Sequence, residues 1–87
     1  ISASFYYPAS GRKMEVYTDL PGMQLYGGNY INEGLVGKGG CTYGKRYGVA
    51  FETQYFPNAI NIPSFPQPLE KAGETVKTST VYKFTTV

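Results

Sequence analysis

Thr75-Val76-Lys77-Thr78-Ser79-Thr80-Val81-Tyr82-Lys83-Phe84-Thr85 is the cleanest alternation in the chain. Val76, Thr78, Thr80, Tyr82 and Phe84 fall on one side, and Lys77, Ser79 and Lys83 on the other. A period of two built from β-branched and aromatic residues describes a half-buried strand. Ala72-Gly73-Glu74 is the turn that launches it. Working outward, the same period recurs between turn signals. Residues 2–7 form an aromatic strand candidate ended by Pro8-Ala9-Ser10-Gly11, which suits a type I turn or short loop. Residues 13–18 set Met14 and Val16 against Glu15 and Tyr17. Pro21-Gly22 fits the centre of a type II turn. Residues 23–26 then place Met23 and Leu25 opposite Gln24 and Tyr26. In residues 49–54, Val49, Phe51 and Thr53 oppose Ala50, Glu52 and Gln54.

The intervening segments are of other kinds. Residues 27–48 hold eight glycines in 22 positions and read as a long irregular loop. Residues 58–69 contain Pro63, Pro66 and Pro68, which keeps them out of a sheet interior. The one helix-friendly window, residues 67–72, is too short to build on. With 9 Tyr, 5 Phe, 11 Gly and 6 Pro in 87 residues, the composition favours strands and tight turns, so the expected class is all-β with antiparallel strands. Five strand candidates are about enough for a sheet. Strand-like sequence at both ends would leave sheet edges open, which makes residues 1–87 read as part of a larger domain.

Composition also removes several chemistries. A formal charge of +2 is too slight to announce a nucleic acid or a membrane surface as partner. No apolar run approaches the roughly 18–20 residues of a membrane-spanning helix. Histidine is absent, which excludes serine or cysteine triads and histidine-ligated metal from within these residues. The single Cys41 allows no internal disulfide and leans toward a reducing, cytoplasmic setting.

Among the motifs that remain, Gly34 to Gly39 has the glycine spacing of a phosphate loop. Gly40 stands where that loop needs lysine, and no helix follows, so a plain loop is the better reading. Lys38, Lys45 and Arg46 interleave with Tyr43 and Tyr47 as in single-strand binders, but a solvated loop explains them as well. Asp19 and Glu52 are the carboxylates worth weighing as an acid and base acting on a sugar. Asp19, just before Pro21-Gly22, is expected to cap a turn. Glu52, within an aromatic strand, is expected to be partly buried, which is costly for a charge without a task; the alternative is a solvent-facing glutamate on an edge strand. If the faces of Gln24 and Tyr26 and of Glu52 and Gln54 meet in one cleft, an amide, a phenol and a carboxylate would suit a sugar's hydroxyls.

Several of these stretches match a known family. Met14-Glu15-Val16-Tyr17-Thr18-Asp19-Leu20-Pro21-Gly22-Met23-Gln24-Leu25-Tyr26, then Gly37-Lys38-Gly39-Gly40, and above all Phe51-Glu52-Thr53-Gln54-Tyr55-Phe56-Pro57-Asn58-Ala59-Ile60-Asn61 resemble the C-terminal region of the aldose 1-epimerases, or galactose mutarotases. The resemblance implies that residues 1–87 are the C-terminal segment of a large β-sandwich of antiparallel strands. It implies conversion of the α and β anomers of a free hexose such as galactose or glucose, with no cofactor and no metal. Glu52 would be the catalytic base and Gln24 a substrate-binding residue. The histidine that serves as general acid would come from a remaining N-terminal part of the enzyme. Beside this stand two other readings of the same residues: a non-catalytic carbohydrate-binding β module, or a fragment inactive on its own.

Overall fold

The computed structural model describes residues Ile1–Val87. Seven strands appear in chain order: β1 (Ala3–Tyr7), β2 (Arg12–Thr18), β3 (Gly22–Tyr26), β4 (Leu35–Val36), β5 (Thr42–Tyr43), β6 (Ala50–Gln54) and β7 (Thr80–Thr86). Every pairing is antiparallel, and the only helices are single 3-10 turns at Lys38–Gly40 and Ala59–Asn61. The all-β class expected from composition is what forms.

β2 is the centre of a three-stranded sheet in the order β1-β2-β7. Its registers bring Phe5, Met14 and Phe84 into one cross-strand row and Ala3, Val16 and Tyr82 into the next, all on one face. The opposite face is polar at its middle. There Glu15 meets Lys13 at 3.0 Å and Lys83 at 3.9 Å, and Tyr17 donates a hydroxyl hydrogen bond of 3.2 Å to it. The hydrogen bond from Lys13, then the charges around it, hold the Glu15 carboxyl below its ordinary value. A carboxyl lowered on folding stabilises the fold above its unfolded pKa and loses that contribution as pH falls through the lowered folded value. Thermal midpoints followed against pH should therefore show Glu15→Gln less stable than the parent at neutral pH. The two curves should converge in acid, once Glu15 itself is protonated. Parallel curves would show that the cluster contributes nothing.

The β1–β2 hairpin closes through Ser10 and Gly11, whose amides donate to the Tyr7 carbonyl at 3.2 and 3.0 Å. Gly11 is doubly constrained. Its φ is +71°, and a Cβ there would stand 2.8 Å from the Val87 carbonyl oxygen, where the end of β7 closes against the turn.

Three sequence expectations meet a different outcome. The long alternation of residues 75–85 becomes a strand only from Thr80, because β2, its pairing partner, ends at Thr18. Beyond that point Asp19 finishes the ladder. Its amide donates to the Ser79 carbonyl at 3.3 Å and its carboxylate accepts the Ser79 amide at 3.0 Å. The type II turn at Pro21-Gly22 does not form, since Gly22 lacks a positive φ and opens β3. β2 and β3 do not pair, so residues 19–21 carry the chain between sheets instead of reversing it. Gly22 is needed for another reason: a Cβ there would lie 2.6 Å from the Phe56 ring. Third, the glycine-rich segment is not wholly irregular. It folds a small hairpin, β4 with β5, whose base is tied by the Gly34 amide to the Tyr43 carbonyl at 3.0 Å.

β3 and β6 form a separate two-stranded sheet that leans on the apolar face of the first. Phe51 packs against Phe5 with ring centroids 5.7 Å apart, and the Tyr82 hydroxyl donates to the Phe51 carbonyl at 2.7 Å. A line of hydroxyls crosses the seam: Thr53 to Thr80 at 2.7 Å, and Thr80 to Thr18 at 3.1 Å. The proline-rich segment stays outside both sheets. It is gathered by the Gln67 amide, which donates to the carbonyls of Ala59, Ile62 and Phe65.

The core is thin. Four of 87 residues are buried, and Val16 is the one large side chain with no exposure, while Phe84 remains 74% exposed. The accessible surface of 6912 Å² exceeds the roughly 5,100 Å² expected of a compact chain of this mass. The radius of gyration, 16.7 Å, likewise exceeds the roughly 12 Å of a compact 87-residue domain. Phe5 and Phe84 of the Phe5, Met14 and Phe84 row are among the uncovered apolar residues. With Val49, these side chains help to line an open hollow of about 1010 Å³.

Candidate functional site

Pairing of β3 with β6 sets Gln24 directly opposite Glu52. Directly opposed residues of an antiparallel pair have Cβ atoms roughly 4.5–5.5 Å apart, so the amide and the carboxylate rise side by side from one face. Strand alternation adds Tyr26 and Gln54 to that face and sends Met23, Leu25, Phe51 and Thr53 to the other, toward the first sheet. The two faces anticipated separately from β3 and β6 are therefore one surface.

The positions around the central pair are occupied by small residues or by aromatics. Gly22 faces Gln54 and Ala50 faces Tyr26 across the sheet. Over Gly22 lies the Phe56 ring, itself packed on Phe65 at 5.1 Å. At the other end, Tyr26 stacks on Tyr30 with centroids 6.5 Å apart and planes 6° from parallel, and the Tyr26 hydroxyl accepts the Tyr30 amide at 2.9 Å. Four residues of extended chain separate the two aromatic ends, about 13 Å. The polar pair sits between them.

Glu52 itself is exposed, which corrects the expectation of partial burial. No hydrogen bond or ion pair within these residues engages its carboxylate. The reason is topological: β6 pairs with β3 alone, and nothing in the 87 residues covers the face that bears Glu52. Its surroundings here match the alternative of a solvent-facing glutamate on an edge strand. Gln24 is also exposed, and its amide makes only a long 3.5 Å contact to the neighbouring Leu25 carbonyl. Both side chains are thus free to meet a ligand.

The remaining candidates go elsewhere. The Asp19 carboxylate is committed to the Ser79 amide and lies on neither strand of this surface. Arg46 donates to the Asn29 side chain at 3.0 Å, and the Lys45 amide donates to the Glu33 carboxylate at 3.2 Å, so both positions are tied into the fold of their own loop. Lys38 opens a 3-10 turn and not a longer helix. Cys41 is exposed. No group of three or more Cys, Asp or Glu side chains gathers as a metal site would require. Sequence reasoning passed over Tyr30 and Phe56 as members of this surface. Only the Gly22 contact and the Tyr26 stack bring them in, and neither can be read from local periodicity.

A sequence model of the aldose 1-epimerase family matches residues 1–83. This chain belongs to the aldose 1-epimerase family. It is similar to human galactose mutarotase, at 45% identity over 82 residues, covering 94% of this chain and 24% of that protein. It is similar also to the mouse galactose mutarotase, at 45% over 78 residues, with 90% and 23% of the two chains covered. The aldose 1-epimerase of Escherichia coli is 34% identical over 74 residues, covering 83% of this chain and 21% of its own. The chain therefore spans about a quarter of the length of the curated relatives it matches.

Proposed function

We propose that this chain is the C-terminal segment of an enzyme that interconverts the α and β anomers of a free hexose such as galactose or glucose, and that it supplies the general base, Glu52, and a sugar-binding amide, Gln24. The observation that carries the reading is the direct opposition of Gln24 and Glu52 across β3 and β6. Membership of the aldose 1-epimerase family supports it.

Anomerisation needs a base at the C1 hydroxyl and an acid at the ring oxygen. Ionised Glu52 takes the C1 hydroxyl proton, the C1–O5 bond breaks, and the ring oxygen receives a proton from the acid. This leaves the open-chain aldehyde. Rotation about C1–C2 turns the other carbonyl face toward O5. The ring hydroxyl then adds to it, returning its proton to the acid's base form while Glu52 gives its proton to the new C1 hydroxyl. Protons balance, and no electron changes hands. Gln24, which can both donate and accept, holds neighbouring hydroxyls so that C1 stays over the carboxylate.

The acid is a histidine in the remaining N-terminal part of the enzyme. That part also covers the Glu52 face and the Phe84 face.

Polarimetry on freshly dissolved α-galactose and α-glucose tests this reading. The full-length protein should accelerate the approach to anomeric equilibrium, and the 87-residue chain alone should not. A full-length protein that binds galactose without accelerating anomerisation would instead favour a carbohydrate-binding module. Turnover by the isolated chain would remove the need for an outside acid and overturn the mechanism.

A further inference from the structure

Tyr30 is 89% exposed, yet its position is fixed. Its amide is bound to the Tyr26 hydroxyl at 2.9 Å, and its ring lies nearly parallel to the Tyr26 ring, 6° between planes. Tyr26 belongs to the same strand face as Gln24, two residues along β3, and stands diagonal to Glu52. Backbone bonds hold the base of the same loop, with the Gly28 carbonyl accepting the amides of Ile31 at 3.3 Å and Arg46 at 2.9 Å. An exposed aromatic ring is ordinarily a mobile one; this one is held against Tyr26, which adjoins the polar pair on the strand face. Phe56, at the opposite end, is spent on packing against Gly22 and Phe65. Tyr30 offers the more open ring.

A pyranose has hydroxyls around its rim and a patch of C–H groups on its face. Amide and carboxylate groups address the rim, and a flat aromatic surface addresses the patch. We propose that Tyr30, backed by Tyr26, is the aromatic platform on which the C–H face of the hexose rests while Gln24 and Glu52 engage its hydroxyls. The role is one of substrate binding and orientation. It rests on the anomerase reading given above, and it adds a binding residue from the loop between β3 and β4. Selectivity follows: sugars with several axial C–H bonds on one face, as in galactose, should gain more from the ring than open-chain polyols, which present no face.

Steady-state anomerisation by the full-length protein tests this with Tyr30→Ala, Tyr30→Phe and Glu52→Gln side by side. Loss of a stacking surface equal in ground state and transition state raises KM and leaves kcat nearly unchanged. Tyr30→Ala should raise KM about tenfold, while Tyr30→Phe, which keeps the ring, should restore it. An unchanged KM in Tyr30→Ala overturns the platform, and so does a fall in kcat alone, which would make Tyr30 a prop for the strands. Should Tyr30→Ala fail to fold, saturation-transfer NMR on the parent protein decides: transfer from tyrosine ring protons to the sugar's C–H protons is expected in the parent and should persist in Glu52→Gln. Its absence from the parent overturns the platform. Inactive Glu52→Gln beside an unaltered Tyr30→Ala rejects the platform alone; active Glu52→Gln rejects the anomerase mechanism itself.

Discussion

Glu52→Gln should cost the full-length protein a factor of about 10²–10⁴ in kcat, the usual contribution of a positioned general base. KM should change little, since glutamine retains the shape and one oxygen acceptor. Within residues 1–87 Glu52 is exposed and makes no internal hydrogen bond or ion pair, so nothing in this segment needs the carboxylate in order to fold. The expected combination, an inactive protein that still folds, is what separates a working carboxylate from a structural one. Activity that survives the substitution would end the assignment of Glu52 as base, whatever the family.

Val16→Asp should have the largest effect on stability. Val16 has no exposed surface and sits mid-strand on β2, between Ala3 on β1 and Tyr82 on β7. A carboxylate there has no partner on its face of the sheet. An unpaired buried charge costs about 3–5 kcal/mol, a large part of the 5–15 kcal/mol typical of a whole domain. Urea unfolding of the full-length protein should show the loss directly, and soluble expression should drop with it. A loss below about 1 kcal/mol would mean that β2 is not the centre of the packed structure, because only a solvent-accessible site tolerates such a change.

How much of this could be read from the residues depends on the range of the interaction. Alternation in β2, β3, β6 and β7 sorted Val16, Gln24, Glu52 and Tyr82 to their faces correctly, because that sorting is settled within a few residues. It overran at Val76 and Thr78, whose pattern is as regular as that of Tyr82 and Phe84. A pattern states which side a residue would take and says nothing of whether a partner strand reaches that far. Pro21-Gly22 has ideal turn chemistry and still passes straight on, because Gly22 answers to Phe56, 34 residues later, rather than to its neighbours. The opposition of Gln24 and Glu52 is likewise a matter of register across 28 residues, and local propensity has no term for it. The sequence leaves the exposure of Glu52 between two readings, partly buried or facing solvent from an edge strand: burial belongs to whatever lies over the β3–β6 face, and that is not encoded in β6.

The hydroxyl line at the seam has a direction as well as a length. Thr18 receives the Leu20 amide at 3.1 Å and can give its single proton to the Ser79 carbonyl at 3.2 Å. With that proton so placed, Thr80 can donate to Thr18 and Thr53 to Thr80, an order in which every hydroxyl proton of the line has an acceptor. In that order the polarity of the chain of bonds runs from the second sheet into the first and ends on the backbone. It works as a ratchet tooth. Thr53 can latch only when it points inward, and a slip of β6 by one residue would offer the seam Glu52 or Gln54, neither of which matches a hydroxyl's length. Thr53 and Glu52 are neighbours on a strand, so keeping Thr53 latched inward goes with keeping Glu52 turned outward.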